Sequence, residues 1–354
     1  MLRTPLSTAV RIRDRIVGPG HPVFVVAEIG ANFADLEEAK RQIDEAAAAG
    51  CDAVKIQTFR ADTLVRSGAF FTFEDGSRAS QHDFFRAREL SGETHRSVQA
   101  YVEERGLVFF STPSHQGDLD LLESLNVPIH KIGSDDLTNL PFIEAVARTR
   151  KPVILSTGMS TLGEVEEALA RFVTTGNQNL ILLHCLVGYP APLHEANLRV
   201  VETLHRAFGV PVGFSDHTPG WLAAVVAVAH GACVVEKHLT LDRSAGGPDN
   251  ETSLEPHEMA DLVRNLRCVE AVLGDGVKRI EPCEEKWRAA GRKSLVAAKD
   301  IHAGEVVTFD MVTAKRPSDG LHPRHFHDMV GRVARVDIAA DECFRWEWLD
   351  AAPL

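Results

Sequence analysis

The sequence predicts an α/β protein, a closed (β/α)8 TIM barrel followed by a small β-rich domain. Three observations carry this. From about residue 23, short and continuously apolar runs alternate with amphipathic stretches, the texture of parallel strands covered on both faces by helices. Eight such β/α units fit into roughly 220 residues, which indicates a closed barrel rather than an open doubly wound sheet. No G-x-G-x-x-G turn follows the first run, so the opening of a dinucleotide fold is absent.

The eight runs are VFVVAEIG (23–30), AVKIQTF (53–59), VFFSTP (108–113), HKIGS (130–134), PVILSTG (152–158), LILLHCL (180–186), VPVGFSD (210–216) and CVVEKHL (233–239). Between them lie segments such as DLEEAKRQIDEAAAAG and STLGEVEEALARFVTTG. Their apolar residues recur at three- and four-residue spacing, and several end at Gly or Asn, as helices do. One connection, residues 60–85, is too long for a plain βα loop and reads either as a lid over the catalytic end or as decoration. The barrel is expected over residues 1–275 and a charged linker over 276–291. A separate β-rich domain is expected over 292–354, where DIHAGE and DIAADE mark turns between short β-type runs.

With 354 residues, 44% hydrophobic and 25% charged, the chain has ordinary globular composition. A net charge of −12 argues against nucleic-acid or anionic-membrane partners, which need clustered positive charge. No signal-peptide core and no run of about 18 apolar residues is seen, so a cytoplasmic protein is expected. The six cysteines have no C-x-x-C spacing and suggest neither a zinc ribbon nor a disulfide framework.

Polar groups collect at the C-terminal ends of the runs, which in a (β/α)8 barrel converge on the catalytic mouth. His217 and His238 end the seventh and eighth runs and should be neighbours, two neutral imidazoles able to hold a divalent metal with open positions left for substrate. The competing reading is a pair of hydrogen-bonded core histidines. Lys55 and Lys131 lie inside apolar strands, where a lysine needs either a carboxylate partner or a bound anion. With Ser111, Thr112, Ser156, Thr157 and Ser215 they suggest a pocket for phosphate and carboxylate groups, although a Schiff-base lysine is a second functional reading. Glu28, Asp136, Glu236 and Asp249 supply carboxylates around the same mouth, each a candidate base, orienting group or lysine partner. Asp216 is left between orienting a histidine and a plain structural bond.

The motifs AEIGAN, VKIQTF, FFSTP, KIGSDDL, STGM, YPAP, GFSDHTPG, EKHLTLD…GGPD and KRPSDG together resemble the sialic (nonulosonic) acid synthase family from about residue 10 to the end. The resemblance implies that the small domain is the antifreeze-like (SAF) domain of those enzymes. It also implies metal-dependent condensation of phosphoenolpyruvate with an open-chain N-acetylated six-carbon sugar, N-acetylmannosamine or a 2,4-diacetamido-trideoxy sugar. Carried over residue by residue, His217 and His238 would hold the metal, Mn2+ first with Mg2+ or Co2+ as alternatives. Lys55, Gln57, Thr112, Lys131, Ser156 and Ser215 would cradle phosphoenolpyruvate, with Glu28, Glu236 and Asp249 as the catalytic carboxylates. Asp136, Tyr189 and Arg316 would contact the sugar, Arg316 reaching it from the partner in a domain-exchanged homodimer. Three departures from the family pattern, GANFAD at Phe33 and Ala34, CLVGYP at Leu186 and Val187, and GPDN at Asn250, suggest a sugar more deoxygenated or differently substituted than N-acetylmannosamine. RSAGGPD and GLHP look closer to the pseudaminic acid synthase branch. A lysine-dependent aldolase and a catalytically silent sugar-binding relative are the alternatives.

Overall fold

The structure is a computed structural model that describes residues 6–30, 32–72, 76–245 and 249–350. Ala31 of GANFAD and Gly247 and Pro248 of GPDN lie outside the described residues. Its strands in chain order are β1 (Val10–Ile12), β2 (Arg15–Val17), β3 (Phe24–Glu28), β4 (Ala53–Thr58), β5 (Phe70–Thr72), β6 (Arg78–Ser80) and β7 (Val108–Pro113). They continue with β8 (His130–Ile132), β9 (Val153–Ser156), β10 (Leu180–Cys185), β11 (Val212–Asp216), β12 (Val234–His238), β13 (Ser294–Ala297) and β14 (Val312–Lys315). Eight of them, β3, β4 and β7 to β12, close into a parallel barrel in which β12 returns to pair with β3.

Each barrel strand is followed by a helix, from Leu36–Ala49 after β3 to Pro256–Leu273 after β12. The helices begin and end where local chemistry dictates. Asp35 accepts the Glu38 N–H ahead of the first, and Gly50, at φ 84°, ends it in the left-handed region that glycine enters freely. Thr161 and Glu164 form a reciprocal capping box on Leu162–Thr174.

Side chains alternate across each strand, and both sets are apolar. Val25, Ala27, Val54, Ile56, Leu155 and Leu182 belong to the cluster under the helices. Phe24, Val26, Ala53, Phe110, Ile154 and Leu183 fill the barrel, joined by Val10, Ile12 and Val17 from the β1–β2 hairpin. That hairpin stoppers the end of the barrel opposite the mouth. Gly213 occupies one interior position because a Cβ there would lie 2.5 Å from the Val234 carbonyl oxygen.

In its described residues, which exclude 73–75, the insert after β4 forms a turn of helix (Ala61–Leu64), the antiparallel β5–β6 pair and a second helix (Gln81–Arg86). It is held by edge-to-face rings, Phe59 on Phe85 at 5.4 Å, Phe71 on Phe84 at 5.3 Å and Phe84 on Phe85 at 5.2 Å.

The chain divides into two units between Gly274 and Asp275. The connector groups with the second unit, where the Ser318 N–H donates to the Ala289 carbonyl at 3.0 Å. In that unit β13 pairs antiparallel with β14, over a core that includes Leu295, Ile301, Met329, Ile338 and Phe344. The DIHAGE and DIAADE segments pair with each other. Ile301 and Ile338 exchange backbone hydrogen bonds of 2.9 and 2.8 Å. Asp337 accepts the Ala303 N–H at 2.7 Å and Asp300 the Ala340 N–H at 2.8 Å. Among the described residues no helix is long and apolar enough to cross a membrane.

Candidate active site

The pleat sorts the polar residues at the strand ends into two sets. The inward set, Lys55, Gln57, Thr112, Lys131, Ser156, Ser215, His217, Glu236 and His238, lines a cavity of about 490 Å³ at the barrel mouth, within the size range of small-ligand pockets. Residues one position away face the other way. Asp216 and Lys237 form an ion pair of 3.1 Å with both side chains fully buried. Asp216 also accepts the Thr218 N–H at 2.8 Å, and Lys237 donates to the Thr218 carbonyl. Asp216 therefore neutralises a buried lysine and does not orient His217. Ser111 donates to the Ile56 carbonyl and pairs with Thr58, Thr157 donates to the Leu183 carbonyl, and His184 bonds to the Ala196 carbonyl. These correct the expectation that Ser111 and Thr157 belong to the anion pocket: their parity turns both away from it.

The floor of the cavity is a charge network almost closed to solvent, with Glu28, Lys55, Lys131 and Glu236 only 1%, 4%, 3% and 5% exposed. Lys55 is ion-paired to Glu28, has Glu236 at 3.6 Å, and donates to Thr112 Oγ1 at 3.4 Å. Lys131 donates to Ser156 Oγ at 2.7 Å and has Glu236 at 3.7 Å. Ser215 donates to Glu236 Oε1 at 2.9 Å. Gly30 donates its N–H to Glu28 Oε1 at 2.7 Å, and a Cβ at Gly30 would stand 2.3 Å from that oxygen. Two cations and two carboxylates balance, which is the condition for burying any of them.

Burial raises the pKa of Glu28 and the Lys55 charge only partly offsets it. Burial also pushes Glu236 upward, but Lys131 and Lys55 together outweigh it and hold the carboxyl at about 2. Burial works against the Lys55 charge as well, yet Glu236 and Glu28 prevail and raise its pKa, so it stays an ammonium. Lys131 is the reverse case, lowered by burial that Glu236 does not fully offset.

Beside this floor the two imidazoles stand 5.4 Å apart between ring centres. His217 Nδ1 bonds to the Leu186 carbonyl at 2.7 Å, which makes Nδ1 the protonated nitrogen and leaves the Nε2 lone pair free. His238 Nδ1 is buried without a hydrogen-bond partner, and Asp249 Oδ2 lies 3.8 Å from it. Burial lowers both pKa values, that of His238 strongly, so both rings are neutral. Burial and then Glu28 hold Asp249 at about 7. Tyr189 lays its ring 4.3 Å from that of His217.

The remaining candidates fall elsewhere. Asp136 accepts from Asn139 at 2.8 Å and does not line the cavity, whereas its neighbour Asp135 does. Arg316 belongs to the second unit and is exposed. Cys185, one pleat position from His184, also lines the cavity, as do Phe59, Phe71 and Phe85 around the insert. Sequence reasoning passed over all four; strand parity identifies the cysteine, and the FF pairs of the insert were the signal for the rings. A cavity of about 740 Å³ at the opposite end of the barrel is roomier, but its charged groups are half-exposed pairs such as His230 with Glu202.

Fold and mouth together define a (β/α)8-barrel enzyme with a small β domain appended. Comparison with known proteins narrows this. Residues 42–278 match the NeuB family and residues 292–349 the SAF domain, and the chain belongs to the NeuB family. It is 39% identical over 329 residues to the N,N'-diacetyllegionaminic acid synthase of Campylobacter jejuni, covering 91% of this chain and 98% of the relative. It is 35% identical to the human N-acetylneuraminate-9-phosphate synthase, covering 95% of both chains. Among solved structures, the N-acetylneuraminic acid synthetase of Leptospira borgpetersenii in complex with citrate superposes with a TM-score of 0.73 at 32% identity, covering 80% of this chain and 96% of that one.

Proposed function

We propose that this chain condenses phosphoenolpyruvate with the open-chain form of an N-acetylated six-carbon aldose, giving a nine-carbon nonulosonic acid and inorganic phosphate. The observation that carries the reading is the sealed, charge-balanced floor of Lys55, Lys131, Glu28 and Glu236 directly beside two neutral imidazoles. Lys131 with Ser156, and Lys55 with Thr112, supply donors for a phosphate and a carboxylate. Gln57 and Ser215 line the same end.

The bond that forms joins C3 of phosphoenolpyruvate to the aldehyde carbon, whose oxygen takes up a proton. Water adds at C2, and the resulting tetrahedral centre loses phosphate by C–O cleavage, leaving a ketone. Glu28, its pKa raised by burial, is suited to take the proton of that water. Asp249, held at about 7, is suited to exchange a proton with the sugar oxygen. Glu236 keeps its charge and holds both lysines in place.

His217 and His238 fit a divalent cation: one presents a free Nε2 fixed by its carbonyl bond, and the other has an orphaned buried nitrogen. Among the described residues no group of three or more His, Cys, Asp or Glu gathers as a cage, so the histidines would leave positions for water and substrate oxygen. Such an ion, Mn2+ first and Mg2+ or Co2+ as alternatives, supplies Lewis-acid polarisation of the sugar carbonyl. Because Lys55 is held as an ammonium, an imine at that residue is disfavoured.

In the proposed assembly, a domain-exchanged homodimer, Arg316 of each subunit serves the partner's sugar and Tyr189 serves its own. The test is phosphate release from phosphoenolpyruvate with a panel of N-acetylated six-carbon sugars and Mn2+. Release dependent on sugar and metal is expected, and release with no sugar dependence would overturn the assignment.

A further inference from the structure

Above its charged floor the cavity turns apolar. Phe59 closes β4, and Leu64, Phe71 and Phe85 come from the insert, facing the same space as Met159 and Val187. The rings are wedged together, Phe59 edge to face against Phe85 at 5.4 Å and Phe71 tilted against it at 6.2 Å. They are a built wall, fixed by aromatic packing.

The cations of the cavity are already committed. Lys55 and Lys131, the lysines that line it, are paired with Glu28 and Glu236 and lie on the floor with the reacting groups. Arg88, near the rings of the insert, lies over the Phe84 ring at 3.9 Å and donates to the Phe84 carbonyl at 2.8 Å. Asp135 lines the cavity, and Asp249 lies beside His238 at the reacting end. A sugar whose aldehyde lies at the imidazoles and whose other end stays within the cavity lays that end along the rings. There the described lining residues of the same subunit offer a phosphate the Asp135 carboxylate and no uncommitted cation, the partner's Arg316 being proposed for the sugar's acyl group.

We propose that Phe71 and Phe85, presented by the insert after β4, select a sugar whose end remote from the aldehyde is a methyl group and reject one that ends in phosphate. This rests on the synthase reading. It adds the residues that choose among the sugars that reading admits. It also gives the insert a task, apolar selection of the substrate's far end.

The test compares kcat/KM, by phosphate release with Mn2+ and saturating phosphoenolpyruvate, for three sugars: N-acetylmannosamine, its 6-phosphate and its 6-deoxy counterpart. The 6-deoxy sugar should exceed the 6-hydroxy sugar by about tenfold to a hundredfold, as a hydroxyl pressed on an apolar wall costs. The 6-phosphate should fall below both by about a further hundredfold or more. Phe85→Leu and Phe71→Ala should shrink the deoxy-to-hydroxy ratio toward one, by loss on the deoxy sugar, with the KM for phosphoenolpyruvate within about twofold of wild type. A wild-type enzyme that uses the 6-phosphate as well as the 6-deoxy sugar overturns the wall's selectivity while leaving the synthase reading standing, as does a ratio unchanged in both folded variants. Phosphate release from none of the three sugars and from none of the wider panel, a 2,4-diacetamido-trideoxy sugar included, overturns the synthase reading, and the selectivity falls with it.

Discussion

Asp216→Ala should unfold the barrel early while leaving its mouth unaltered. In the native protein Asp216 and Lys237 are fully buried 3.1 Å apart, and Asp216 also holds the Thr218 N–H. Removing the carboxylate strands an ammonium in a dry layer between strands and helices, a loss of about 3–5 kcal/mol. For a domain of this size each kcal/mol moves the melting temperature by about 2 °C, so a fall of roughly 6–10 °C is expected. Differential scanning calorimetry of Asp216→Ala beside the double variant Asp216→Leu/Lys237→Met separates charge from packing, because an apolar pair of similar volume is close to neutral. Well below the melting temperature, the KM for phosphoenolpyruvate should match wild type. A single variant that melts within about 2 °C of wild type would refute the reasoning, as would a double variant no more stable than the single one.

His217→Ala and His238→Ala should each abolish turnover and titratable Mn2+ binding while the near-ultraviolet spectrum is retained; near-normal turnover after chelation would sink the metal assignment. Borohydride in the presence of pyruvate should leave Lys55 and Lys131 unlabelled, and a covalent adduct at either would favour the aldolase mechanism. Burial first, and then Asp135, hold Asp136 at about 6 against a reference of 3.8. The native state therefore keeps the proton longer, so stability falls as pH rises from about 4 through 6 and stays lower above. Asp136→Asn should stabilise the barrel by about 1–2 kcal/mol at pH 7.5 and by little near pH 4, measured by denaturant melts at both values; a larger gain at the lower pH would reverse the assignment. Arg316→Ala should raise the KM for the sugar far more than that for phosphoenolpyruvate, and mixing it with His217→Ala should restore activity if the arginine serves the partner's mouth. Equal effects on both substrates, or no restoration, would count against the exchanged dimer.

Much of the candidate site is legible from position alone. Lys55, Lys131, His217, Glu236 and His238 each stand out as a polar group at the end of an apolar run, and only a barrel mouth gives such ends a common place. The partners were not legible. Lys55 meets Glu28 from the preceding strand and Glu236 from a strand far along the chain, and that choice depends on barrel closure between β12 and β3. Asp135 and Asp136 sit in a 3-10 turn, which has no two-residue alternation to say which carboxylate faces the cavity.

By itself the sequence determined the barrel, the small appended domain, the mouth and the two histidines, because strand and helix periodicity and the C-terminal convergence of barrel strands are local consequences of residue order. Only the tertiary structure decided that Ser215, His217, Glu236 and His238 face the cavity while Asp216, Lys237, Ser111 and Thr157 do not. Strands buried on both faces are apolar on both, so hydrophobicity carries no mark of which face is the interior. The barrel's register supplies that mark, and with it the division between groups placed for chemistry and groups that hold the barrel together.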